Sequence, residues 1–86
     1  MSERIDRAAI KWKGVVHTVP RPGRHHTVIH EMAERGFGPE CMGNQGFVTD
    51  KGEFVDRFVA CRIAYRAGQI IQKTGPINIL FSEDMW

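Results

Sequence analysis

With 86 residues, 42% of them hydrophobic and 26% charged, the chain has the composition of one ordinary globular domain, and its formal net charge of +2 is too small for a surface that coats duplex nucleic acid. Its longest apolar runs fall far short of the ~18 residues that span a bilayer, and no charged-then-apolar leader opens it, so neither a membrane-embedded nor a secreted role is expected. Cys41 and Cys61 stand in no CxxC spacing, which implies reduced thiols in a cytoplasmic setting and no disulfide framework.

In chain order, residues 1–7 are polar and charged and read as a flexible lead into a domain spanning 8–86. Ile10, Trp12, Val15 and Val16 form two short strands about a Lys13-Gly14 turn. The prolines of Thr18-Val19-Pro20-Arg21-Pro22-Gly23 lack donors and end the second strand. Val28, Ile29, Met32 and Ala33 then have the spacing of one apolar helix face, with Gly36 as its C-terminal cap. The stretch 37–44 shows no periodicity and reads as a loop.

Residues 46–49 and 53–55 flank Asp50-Lys51-Gly52, a hairpin signal. Asp56 caps a second helix whose buried stripe is Val59, Ala60, Ile63, Ala64 and Ala67, ending at Gly68. Residues 69–72 and 77–81 read as further strands around Thr74-Gly75-Pro76, and Ser82-Glu83-Asp84 as a terminal helical turn. The sum is a single α+β domain, a small, mostly antiparallel sheet with two helices. A core this small, with Trp12, Met85 and Trp86 near the ends, also predicts a homo-oligomer.

Chemistry gathers at a few places. Pro22-Gly23-Arg24-His25-His26 precedes a helix, where free N–H groups and the positive end of the dipole suit phosphate. With one glycine and no Lys-Ser/Thr pair it is weaker than a phosphate loop, and the plainer alternative is a solvated arginine beside histidines that satisfy local backbone groups. His26 and His30 share a helix face and, with His25, His17 or Cys41, have permissive zinc spacing, but Glu34 stands where the HExxH motif needs its second histidine, so no metal or other cofactor is assigned. Arg57 falls in the first turn of the second helix, within reach of Asn44, Gln45 and Phe47, where a guanidinium can grip phosphate while a ring stacks on the aromatic and the amides read its edge. Phe47 and Phe54 are otherwise core residues. Arg62 and Arg66 read as a solvated helix face, and Glu83 and Asp84, adjacent on an exposed turn, do not face one site as a catalytic pair must.

Arg24-His25-His26, Gln45-Gly46-Phe47 with Gly52, Phe54-Val55-Asp56-Arg57, Ala67-Gly68-Gln69 and Phe81-Ser82-Glu83-Asp84, in this order, resemble the small phage-encoded Thoeris anti-defence family. The resemblance implies a non-enzymatic sponge in the host cytoplasm that holds cyclic ADP-ribose isomers intact, in pockets between subunits of a dimer or an assembly of dimers. With the residue-level reading it gives a ligand set of Arg24, His25, His26, Asn44, Gln45, Phe47, Arg57 and Gln69, with no catalytic residue. The chain is short for that group, which leaves no clear place for the separate cyclic-oligonucleotide site of some relatives. Two other classes fit the same residues: a small nucleotide or phosphate-ester hydrolase using His25, His26 and His30, and a protein–protein inhibitor with no small ligand.

Overall fold

The computed structural model describes residues 3–86, the side chain of Met42 excepted. Strand β1 (Ile5–Trp12) folds back on β2 (Val15–Thr18) through Lys13 and Gly14, both at positive φ (50° and 79°), a two-residue turn whose twist matches that of the strands. β1 pairs on its other side with β3 (Gln45–Thr49), Ile5 opposite Thr49 and Ile10 opposite Gln45, with a register shift between Ile5 and Arg7. β4 (Phe54–Asp56) completes a four-stranded sheet of order β2-β1-β3-β4, antiparallel throughout. Of the stretch 1–7 read as a flexible lead, residues 5–7 begin β1, with Ile5 paired to Thr49 and buried in the core, and residues 1 and 2 lie outside the described residues.

Helix α1 (His25–Glu34) begins where the Thr27 hydroxyl accepts the Arg24 N–H at 3.2 Å, and α2 (Arg57–Arg66) where Asp56 Oδ1 accepts the Val59 N–H at 2.8 Å, the cap read from the sequence. Gly36 and Gly68 follow the two helices in the left-handed region. Both helices lie on the sheet face that carries Ala8 and Ile10: α2 presses Ala60 and Ala64 against Ala8 and Phe47, and α1 presses Val28 and Met32 against Ile10. The architecture is the expected α+β class, in two layers.

Three local expectations change. The loop 37–44 contains a 3₁₀ turn, Pro39–Gly43, with Cys41 buried. Cys61, absent from the predicted α2 stripe, is buried, because the chain after α2 folds over it and its thiol donates to the Ile77 carbonyl at 3.3 Å. Residues 69–72 and 77–81 form no strands. Their backbone is engaged elsewhere: Ile71 N–H donates to the Asp84 carbonyl (2.8 Å) and Leu80 N–H to the Arg57 carbonyl (3.1 Å). The expected helical turn Ser82–Asp84 is present as a 3₁₀ turn.

Candidate functional site

The structure brings most of the sequence-assigned ligand residues together, around the chain's own last turn. The Trp86 carbonyl oxygen accepts from Arg24 Nε at 2.8 Å and from a second guanidinium nitrogen, while the Trp86 indole N–H donates to the Gly23 carbonyl at 2.9 Å. At the start of α1, where an anion was expected, the His25 N–H meets the Ser82 hydroxyl at 3.4 Å. Met85 and Trp86 therefore dock on the body of their own molecule.

His25 is buried edge-on against Phe47, ring centroids 4.9 Å apart. Its Nε2 lies 2.7 Å from the Gly46 carbonyl and its Nδ1 3.3 Å from the Ser82 hydroxyl. A carbonyl only accepts, so Nε2 carries the proton and Nδ1 receives the hydroxyl. Burial pushes the imidazole down to about 4, against the Gly46 hydrogen bond and with help from the nearby Arg57 charge, so the ring is neutral at ordinary pH. Ser82, though paired with an imidazole as a nucleophile would be, is itself buried, and its hydroxyl does not open on a cleft. Gly46 makes room on its other side for β4, since a Cβ there would lie 2.2 Å from the Val55 carbonyl oxygen and 2.7 Å from the Phe54 ring.

Arg57 donates to the Leu80 carbonyl (2.7 Å) and to Gln45 Oε1 (2.6 Å), with its guanidinium 4.9 Å above the Phe81 ring. Burial draws its pKa down, opposed by the Glu83 and Asp84 carboxylates. Gln69 stands apart from this group: its side-chain amide accepts the Ile5 N–H at 2.7 Å and donates to the Ile5 carbonyl at 2.8 Å, extending the ladder at the start of β1. His26 and Asn44 are exposed. His30, also exposed, pairs with Glu34 at 3.0 Å, so the three histidines of the hydrolase reading point to different surroundings. Among the described residues no three His, Cys, Asp or Glu side chains converge as metal ligands would.

Asp84 is the residue whose role the sequence reading misplaced. Far from lying on an exposed turn, it is 0% exposed, and its carboxylate accepts from the Thr74 N–H and hydroxyl (both 2.7 Å) at one oxygen and from Lys73 Nζ and the Phe81 N–H (both 2.9 Å) at the other. The irregular segment 69–81 is wound about this anion, with Gly75 packed on the Phe81 ring so closely that a Cβ would sit 2.4 Å from it. Burial raises the carboxyl's pKa, but the bonds from Phe81, Thr74 and Lys73 outweigh it and hold the group below its ordinary value.

That winding creates a groove of about 810 Å³ between α2 and the segment after it. Phe58, Tyr65, Ile70 and Ile77 give it apolar walls, Cys61 lies at its floor, and Arg62, Arg66 and Lys73 rim it. Lys73 is held by Asp84, whereas Arg62 and Arg66 make no ion pair among the described residues. Tyr65 is 78% exposed. Sequence reasoning passed over the groove, although Phe58 and Tyr65 carried a signal: large aromatics lying off the buried stripe of an amphipathic helix.

Four antiparallel strands beneath two helices, with one open apolar groove along α2, place the molecule among small two-layer α+β proteins. More particularly, the family model described as phage T4 y16D protein matches residues 4–86, and the chain belongs to that family. It is thus a phage protein, as the resemblance implied in its broader part. No curated protein and no solved structure matches it. Among the described residues no helix is long and apolar enough to cross a membrane.

Proposed function

We propose that this phage protein is a non-enzymatic binding protein that sequesters a small, ring-bearing anion of the cyclic ADP-ribose class in the groove along α2, thereby removing a host anti-phage signal. The observation that carries the reading is the groove itself: about 810 Å³, within the range of small-molecule sites, with Phe58 and Tyr65 available to stack on rings and, at its rim, two guanidinium groups without ion-pair partners among the described residues. Cyclic ADP-ribose carries the matching groups, a pyrophosphate for the arginines and a purine for the aromatics. The choice of that ligand class rests on the resemblance of the segments between residues 24 and 84.

Native mass spectrometry and calorimetry with cyclic ADP-ribose isomers and cyclic dinucleotides test it. The expected result is ligand bound and recovered at unchanged mass, with Arg62→Ala weakening binding about tenfold, as for one charge-assisted hydrogen bond. A parent protein that binds none of the panel, or returns cleaved ligand, overturns the proposal.

One observation favours a protein partner instead. Ile77 in the groove wall is largely exposed, as is Ile71, which follows the lining Ile70 in the chain, and with Tyr65 they give the kind of apolar, Tyr- and Arg-bearing patch on which protein hot spots form. Under that reading the ligand panel is silent, and Tyr65→Asp abolishes capture of a host protein that the parent retains.

A further inference from the structure

We propose that β2 is the seam of a two-fold symmetric dimer, in which a second copy of the chain pairs antiparallel along Val15–Thr18 and the two sheets of four strands become one. This inference is independent of the groove. β2 is an edge of the sheet, and its consecutive Val15 and Val16 are 55% and 38% exposed. Its sequence, Val15-Val16-His17-Thr18, carries none of the lysines or prolines that blunt an edge against pairing.

The hydrogen-bonding pattern is self-complementary. Trp12 and Val15 close a two-residue hairpin, so Val15 is bonded to β1, and by alternation so is His17. Val16 and Thr18 then direct their N–H and C=O groups away from the sheet. An antiparallel register with His17 facing His17 of the second copy sets Val16 opposite Thr18 of that copy, and Thr18 opposite its Val16, so the outward groups of all four residues are paired. Pro20, without an N–H, bounds the seam on its far side.

Charge identifies the partner as this same chain. α1 lies beside β2, and the two elements enclose a cleft of about 240 Å³ bordered by Val15, Val16, Glu31 and Arg35. Glu31 and Arg35 are one helical turn apart, and neither makes an ion pair among the described residues. A two-fold axis through the seam, perpendicular to the sheet, runs the two α1 helices antiparallel and turns Glu31 of each copy toward Arg35 of the other. One repulsion-free arrangement is thus made twice, as an isologous interface requires.

Sedimentation velocity of the full chain tests this over a concentration series. The parent is expected to sediment as a dimer, and Val16→Lys, on a surface position of the monomer, to raise the dissociation constant by about tenfold or more by placing a charge on each side of the seam. Glu31→Arg and Arg35→Glu each weaken the dimer, and the double exchange restores it. A parent that stays monomeric, or a Val16→Lys dimer as tight as the parent's, overturns the proposal. Amide hydrogen exchange gives a reading without substitution: Val16 and Thr18 N–H protected in concentrated protein and unprotected on dilution support the seam, and free exchange in a dimeric parent refutes it.

Discussion

Replacing Asp84 by Asn changes one atom of a buried carboxylate into a donor and leaves the shape intact. Each Asp84 oxygen now accepts two hydrogen bonds, from Thr74 on one side and from Lys73 and Phe81 on the other. The amide NH₂ of Asn must face one of those donor pairs, so two of the four bonds are lost whichever way it turns. With hydrogen bonds to charged groups contributing ~1.5–3 kcal/mol each, Asp84→Asn should cost at least about 3 kcal/mol. A domain of this size is stable by roughly 4–13 kcal/mol, so the melting midpoint should fall by on the order of 15 °C. Calorimetry with urea titration checks it, and a variant melting within about 2 °C of the parent would refute the idea that segment 69–81 is organised around this anion. The acid limb gives a second reading. Because the folded carboxyl lies below its ordinary 3.8, its contribution is complete above that value and fades as pH falls through it toward the lower folded value, a loss that Asp84→Asn should lack.

Arg57→Ala should destabilise the fold by about 2–3 kcal/mol by removing the hydrogen bonds to the Leu80 carbonyl and to Gln45 Oε1, with Lys rescuing only in part because it lacks the fork; thermal melts decide between this and a surface role. Asp56→Ala should cost about 1 kcal/mol through the lost Val59 cap, and an unchanged midpoint would show that the cap contributes nothing. His25, neutral in the fold until about pH 4 but protonated when unfolded below about 6.5, makes stability complete above pH 6.5 and erodes it as pH falls toward 4, by roughly 2–3 kcal/mol. Urea titrations at pH 7 and 4.5 should show that loss in the parent and a smaller one in His25→Gln.

The elements that local chemistry dictates were legible before the structure. The Lys13-Gly14 and Asp50-Lys51-Gly52 turns, the Asp56 cap and the spacing of Val28 and Met32 are short-range signals, and each lies where it was read. Residues 69–81 were not legible, because their apolar runs, Ile70-Ile71 and Ile77 to Phe81, have strand composition while their backbone donors are taken by the Arg57 and Asp84 carbonyls. Composition speaks for a strand only when a neighbouring edge is open to it. Here the adjacent edge strand, β4, has three residues and runs directly into α2.

The site was partly legible for a related reason. Arginine and histidine before a helix do mark a place that wants electron-rich oxygen, and the structure supplies it: the Trp86 carbonyl for the Arg24 side chain and the Ser82 hydroxyl for the His25 backbone N–H. From sequence, an internal acceptor some 60 residues away and an external phosphate leave the same trace. What separates them is whether the side chain's hydrogen-bonding capacity is already used, and this turns attention from Arg24 and Arg57, which are engaged within the fold, to Arg62 and Arg66, which make no ion pair among the described residues and border an apolar groove. The residues that looked most chemical hold the turn Ser82–Asp84 and Trp86 in place, and the arginines that looked merely solvated are the ones whose charge is paired with no carboxylate among the described residues.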